Sequence, residues 1–207
     1  ANRLMSLRPD IRTAWCPTLM GHVPLYREPS AGDVFAFGMA HKFQATQWAR
    51  LHVLLEATGL DYRIHISAAL HDGGLQEELD RVADLFTDLF GARAQCLGTL
   101  SDGLVAWYLS RVGYVAAFFP GGARANNTTL HAAMAAGCVV ITNLDRWSPS
   151  DFVHGHSVLD IAHLTELRPL QPKYGDTGHV SGTGQRLARE RYTWARLITL
   201  LQDPTGA

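Results

Sequence analysis

Short, almost wholly apolar runs alternate along this chain with longer amphipathic ones, and this alternation restricts the fold more than any other feature. "DVFAFG" (33–38) is a continuous apolar run stopped by glycine, the signature of a strand buried on both faces. "FQATQWARLHVLLEAT" (43–58) then places Phe43, Trp48, Leu51, Leu54 and Leu55 near helical spacing, with Gly59 as its C-terminal stop. The pattern repeats. "YRIHIS" (62–67) reads as a strand, "LQEELDRVADLFTDLFG" (75–91) as an amphipathic helix and "ARAQCLG" (92–98) as a strand. "SDGLVAWYLSRV" (101–112) is a helix with Ser101 and Asp102 as N-cap residues. "YVAAFFP" (114–120), "NTTLHAAMAAG" (127–137) and "CVVITN" (138–143) complete a third unit of strand, helix and strand.

Strands apolar on both faces need helices on both faces, and parallel neighbours are joined by right-handed crossovers. The expected fold class is therefore α/β: a Rossmann-like parallel sheet of about five or six strands covered by helices on both faces. Beyond Asn143 the pattern loosens. "SVLDIAHLTEL" (157–167) is expected to add one more short strand and helix. Residues 168–180, with Pro169, Pro172, Gly175 and Gly178, read as a polar excursion before an amphipathic terminal helix over 184–203. Residues 1–32 hold Pro9, Pro17, Pro24 and Pro29 with little periodicity and read as an extended linker ahead of a domain at 33–203.

Composition excludes several classes of function. Of the 207 residues 47% are hydrophobic, enough for a sizeable core, and 18% are charged. The formal net charge of -1 argues against a nucleic-acid binder, which needs a basic excess to neutralise phosphates. No apolar run approaches the ~20 residues of a membrane helix, and the first residues lack a signal peptide's order, so a soluble cytoplasmic protein is expected. Cys16, Cys96 and Cys138 lack CxxC spacing, and Cys96 and Cys138 lie in strand-like runs, so reduced core thiols are expected. The chain begins at Ala1, compatible with a processed or dissected protein.

In open α/β sheets ligands gather beyond the carboxyl ends of the strands. Three loops of that kind carry suggestive residues. In "GMAHKF" (38–43), Gly38 lets the chain leave the strand tightly and Lys42 offers a flexible cation to a phosphate. In "LGTLSDG" (97–103), Gly98 would let a flat ring such as a nucleobase approach the backbone. In "FFPGGARANNTTLHAAMAAGCVVIT" (118–142), Asn126, Asn127, Thr128 and Thr129 open a helix whose first N–H groups suit an anion, and Arg124 adds a planar two-pronged donor. One cap needs one such side chain, so two Asn and two Thr exceed a capping role. His154 and His156 have no companion ligands and read as loop residues. A G-x-S-x-G elbow, a G-x-G-x-x-G turn and a GK[ST] loop are all absent from the sequence.

Together these segments resemble the C-terminal, donor-binding half of GT-B glycosyltransferases, in particular the retaining family 4 type (glycosyl transferases group 1). "CLGTLSDGLVAWYLSRVGYVAAFFPGG" followed by "TLHAAMAAGCVVIT" is similar to that family's donor-loop region in order and spacing. "FVHGHSVLDI" (152–161), "RERYTWARLITLL" (189–201) and "FAFGMAHKFQ" agree with flanking family segments, so the likeness spans about 33–203.

The resemblance implies transfer of a sugar, with retention, from a UDP- or GDP-linked donor to an acceptor hydroxyl. Lys42 and Arg124 would stabilise the departing diphosphate, and Gly38, Gly98, Asn126, Asn127, Thr128, Thr129 and His131 would bind the donor. No metal and no cofactor beyond the donor is implied. The partner would be an N-terminal acceptor-binding domain, without which this domain would be inactive. The sequence departs from the family at telling positions. Arg124 and Ala132 stand where the family carries paired glutamates, and Met39 stands where it carries an arginine; His131 is the neighbouring substitute for the ribose contact. These departures leave a second reading, a nucleotide-binding or interaction module that has lost catalysis. A GT-B-like epimerase or phosphorylase ranks lower, since no cofactor-anchoring lysine motif is present.

Overall fold

The computed structural model describes residues 29–165 and 176–193, with residues 195, 196, 198 and 202. Most of the expected linker at 1–32, and the stretch 166–175, lie outside the described residues. Six strands form one parallel sheet: β1 (Val34–Met39), β2 (Ile64–Ala69), β3 (Ala94–Cys96), β4 (Tyr114–Ala116), β5 (Val139–Thr142) and β6 (Leu159–Asp160). They lie in the order β3-β2-β1-β4-β5-β6. The chain first builds outward from β1 to β3, then returns to the other side of β1 for β4. That reversal leaves a crevice beyond the carboxyl ends of β1 and β4, where successive helices diverge to opposite faces.

The helices are α1 (Ala45–Glu56), α2 (Gln76–Phe90), α3 (Asp102–Leu109), α4 (Thr128–Ala135) and α5 (Asp176–Arg191). Alternate residues of each strand feed two cores. Val34, Ala36, Ile64, Ile66 and Ile141 pack with Trp48 and Leu51 of α1 and Phe86 of α2. Phe35, Val115 and Val140 pack on the other face with Tyr108 of α3 and Leu130 and Met134 of α4. Helix α5 serves both, contributing Val180 to the first core and Ala188 to the second. The two-faced α/β sheet expected from the apolar runs is the one observed.

Three expectations change. The terminal helix begins at Asp176, inside the stretch expected to be a polar excursion. Its glycines lower intrinsic helix propensity, but close packing requires one of them: a Cβ at Gly184 would lie 2.9 Å from the Ser157 carbonyl oxygen and 3.6 Å from the Met134 methyl. Tertiary contact therefore outweighs local preference. After β6, residues 161–163 form a turn where a short helix was expected. Cys138 is buried as expected but Cys96 is exposed, because β3 is an edge strand of three residues covered from one side only.

The opposite, amino end of the sheet is held by a buried polar cluster. The Asp33 carboxylate accepts hydrogen bonds from the backbone N–H groups of Ser30 (2.8 Å) and Arg63 (2.9 Å) and from His65 Nε2 (3.3 Å). Burial by itself raises the Asp33 pKa, but the bond from His65 and the two backbone donors more than offset this and hold it below its usual range. The cluster pins the start of β1 to β2 and sets their register. A carboxyl with a depressed folded pKa contributes stability that is present above its unfolded value and lost as pH falls through the folded one. Wild-type protein is therefore expected to lose urea stability progressively below about pH 4. Asp33→Asn should flatten that acid limb and lower stability at neutral pH by about 1–3 kcal/mol, because it leaves buried donors poorly matched. Urea melts of both proteins across pH 2.5–7 check both effects.

Candidate functional site

The site is built on the crevice between β1 and β4. Beyond β1 the chain makes a 3-10 turn, Ala40–Lys42, so that Lys42 stands at the last position of the turn, ahead of α1 rather than within it. Beyond β4 the chain runs through Phe118 and Phe119 to Pro120, Gly121 and Gly122, then into α4. Lys42, after β1, and Thr129, in the first turn of α4, line one small cleft of about 20 Å³, partly open to solvent, with Phe37, Trp48 and Phe118 among its walls. The same two segments meet at Gly38, where a Cβ would come within 3.9 Å of the Thr129 hydroxyl oxygen.

Asn127 holds the N-cap position of α4 without bonding the helix's first turn. Its Oδ1 instead accepts from the Arg124 backbone N–H at 2.6 Å, closing the loop upon itself. The first N–H groups of α4 thus lack the usual side-chain acceptor, and the positive end of the helix dipole faces the ligand edge. Asn126 and Thr128 are exposed beside it. Gly98 is exposed beyond β3, on a loop that leans over β2: the Thr99 hydroxyl donates to the Ala68 carbonyl at 3.1 Å and the Leu100 N–H to the Ser67 hydroxyl at 3.3 Å.

Arg124 is placed differently from a free phosphate ligand. Its two terminal nitrogens each donate at 2.7 Å to one oxygen of Asp145, a two-pronged ion pair with both side chains about one-third exposed. The bond from Arg124 is the main cause that lowers the Asp145 pKa to about 2. The Trp147 N–H also donates to Asp145, at 2.9 Å. Gly122 makes the pair possible: its φ is 79°, and a Cβ there would sit 2.8 Å from the Asp145 carboxyl carbon and 3.1 Å from the Arg124 guanidinium.

His131 turns to a bracing role. Its Nε2 donates to the Ala125 carbonyl at 2.7 Å, and its ring stacks 3.9 Å from Tyr192, whose hydroxyl donates to Asp151 at 3.0 Å. Burial pushes its imidazole below the usual range, against the Ala125 carbonyl and the Asp151 charge. Its Nδ1 is buried and, among the described residues, has no hydrogen-bond partner, so neither ring nitrogen is presented at the surface. His154 and His156 go to different partners. His154 Nδ1 accepts from the Asp160 N–H at 3.0 Å, and His156 Nδ1 lies 3.2 Å from His179 Nε2. Among the described residues no group of three or more His, Cys, Asp or Glu side chains is arranged around a metal position.

Two contributors escape the sequence reading. Asn143, directly after β5, accepts from the Phe119 N–H (2.8 Å) and donates to the Phe119 carbonyl (2.7 Å), and its own carbonyl accepts from the Ala123 N–H (2.8 Å). Its side chain extends the sheet pairing past β4 and aims the loop at α4. Asp145 is the other. Both are polar residues just beyond the carboxyl end of a strand, which is the one sequence signal that marks them.

No family profile matches this sequence, and no curated protein is similar to it. The fold is that of GT-B glycosyltransferases. Anabaena HepE, solved in complex with UDP and glucose, superposes with a TM-score of 0.62 at 14% identity, over 86% of this chain and 48% of that one. The C-terminal domain of a glycosyl transferase group 1 family protein (LpcC) from Francisella tularensis superposes at 0.57 with 15% identity, over 80% of this chain and 88% of that one. The catalytic domain of the Helicobacter pylori cholesterol-α-glucosyltransferase gives 0.56 at 12% identity, over 79% and 100%. The chain spans about half the length of HepE. Its described helices include none long and apolar enough to cross a membrane.

Two outcomes test this geometry. Gly122→Ala should destabilise the protein by about 1–3 kcal/mol in urea, since it adds both a left-handed backbone penalty and a clash with the Asp145 carboxyl. In Arg124→Ala the Asp145 carboxyl should titrate at a higher pH than the about 2 of the wild type, because its main stabilising bond is lost, as followed by carbon-detected NMR.

Proposed function

We propose that this chain is the donor-binding domain of a glycosyltransferase. It holds the diphosphate of a UDP- or GDP-linked sugar across the β1 and β4 loops and delivers the sugar, with retention, to an acceptor hydroxyl. The observation that carries the reading is the convergence of Lys42 and Thr129 on one cleft at the point where the strand order reverses. Lys42 supplies a positive charge, and the first N–H groups of α4 supply donors that need no rearrangement. Both stabilise charge that grows on the diphosphate as the bond to the sugar's anomeric carbon breaks. A new bond forms from that carbon to the acceptor oxygen, and the acceptor proton leaves with the diphosphate. Asn126, Thr128 and Gly38 line the diphosphate path, and Gly98 gives the base its approach. Arg124 acts through its pair with Asp145. The acceptor would be held by a second α/β domain, and the reading includes a cytoplasmic location, which suits the free thiols of Cys96 and Cys138.

A second reading is favoured by one specific observation. Arg124 and Ala132 replace the family's paired glutamates, and Arg124 is already tied to Asp145. A nucleotide-binding module without transferase activity fits that arrangement. It would bind nucleotide but show no transfer even when joined to an acceptor domain.

Calorimetric titration with UDP, GDP and their hexose conjugates tests donor binding. Binding of at least one nucleotide is expected, with affinity about tenfold weaker or more in Lys42→Ala, the scale of one charge-assisted hydrogen bond. No heat and no shift in melting temperature with any of them would overturn the reading.

A further inference from the structure

Two exposed histidine rings face each other across the loop ahead of β6 and the start of α5. His156 Nδ1 lies 3.2 Å from His179 Nε2, and the ring centres are 5.1 Å apart. Local spacing in the sequence does not reveal this companion, which lies 23 residues further on. The backbone under each ring is fixed independently of the pair. In the loop, the His156 and Ser157 N–H groups donate to the Val153 carbonyl (3.1 and 3.0 Å) and the Gly155 N–H to the Val158 carbonyl (2.9 Å). The Ser157 hydroxyl accepts from the Val153 N–H (2.9 Å) and donates to the Asp151 carbonyl (2.7 Å). On the helix, Val180, next to His179, is buried in the first core. Gly184 brings α5 so close to the loop that a Cβ there would sit 2.9 Å from the Ser157 carbonyl oxygen.

We propose that His156 and His179 form a two-histidine binding site for a first-row divalent metal ion of the zinc class. Two neutral imidazoles can share one N–H···N bond, and 3.2 Å is at the long end for it. Metal ligation fits the geometry better. Two imidazole nitrogens, each about 2.0–2.1 Å from a tetrahedral zinc, lie about 3.3 Å from one another. The rings also converge, from 5.1 Å at their centres to 3.2 Å at the facing nitrogens. For a symmetric approach their axes meet about 2 Å beyond the nitrogens, at roughly the tetrahedral angle. His156 then carries its proton on Nε2 and His179 on Nδ1, leaving both facing lone pairs to the metal. Among the described residues no third His, Cys, Asp or Glu side chain joins the pair, so water completes the coordination. Imidazole ligands suit Zn²⁺, Cu²⁺ and Ni²⁺, whereas Ca²⁺ and Mg²⁺ need oxygen. The bound ion ties the start of α5 to the loop ahead of β6, as Tyr192 and Asp151 tie the chain at the other end of the helix. Neither histidine lines the cleft of Lys42 and Thr129, and the inference does not rest on the donor reading.

Calorimetric titration of the whole chain with ZnCl₂, CuCl₂ and MgCl₂, without nucleotide, tests the site. Wild type is compared with His156→Ala, His179→Ala and a control, His163→Ala, taken from the other close histidine pair, whose rings lie 5.7 Å apart. Melting temperatures without metal confirm that each variant is folded. Wild type and His163→Ala are expected to bind one Zn²⁺ per chain, to bind Cu²⁺ more tightly, and to give no heat with Mg²⁺. Zinc affinity should fall about tenfold or more in both His156→Ala and His179→Ala. Zinc at about 100 times its Kd should raise the wild-type melting temperature by about 5–10 °C, and those two variants by at most about half as much. No binding of Zn²⁺ or Cu²⁺ to wild type would overturn the site. Equal affinity in wild type and either of these two variants, or loss confined to His163→Ala, would overturn it as well, because the ion would then be held by other residues.

Discussion

Burying a parallel sheet on both faces is the constraint from which the rest of this molecule follows. Parallel neighbours cannot be joined by a hairpin, so every connection crosses over a face, and every loop that leaves a carboxyl end leads toward a helix. Because β4 returns to the far side of β1, the loops after these two strands part to opposite faces and leave an open crevice. Lys42 and Thr129 meet there through that topology, although they are distant in sequence.

The loops around the crevice are set by polar bracing, although its walls are mostly apolar. Asn143 continues the hydrogen-bond pattern of β4 and β5 past the point where regular pairing ends, so Phe119 leaves the sheet in a defined direction. Asn127 and His131 then tie the loop at Arg124 and Ala125. Partly exposed ion pairs such as Arg124 with Asp145 add little to global stability. Their two-pronged geometry fixes orientation instead, and here it fixes the loop carrying Trp147 relative to the loop that opens α4. Through Tyr192, the C-terminal end of α5 bears on the same loop, so a terminal helix far from the cleft helps to hold its shape.

Much of the sheet was legible in the apolar runs, because a strand buried on both faces is mostly apolar and keeps a polar residue, such as His65, Ser67 or Thr142, only where it is hydrogen-bonded. "DVFAFG", "YRIHIS" and "CVVITN" each correspond to an observed strand. The start of α5 was not legible. Gly178 read as part of a polar excursion ahead of a helix starting at Gly184, yet the helix runs from Asp176, with Gly184 packed close against Ser157 and Met134. The exposed side of Cys96 was missed for a related reason: an apolar run does not reveal that its strand lies at the edge.

For the site, local chemistry and tertiary placement divide cleanly. The amino-acid sequence alone determined the glycine-loosened turns, the polar start of α4 and the cation after β1, because backbone freedom and helix-end valence depend on residues adjacent in the chain. Only the folded chain decided that Arg124 spends its charge on Asp145, that His131 braces Ala125, and that Trp147 stands exposed. Those outcomes depend on which loops the strand order brings together, and side-chain pairing across separate loops leaves no periodic trace in the sequence.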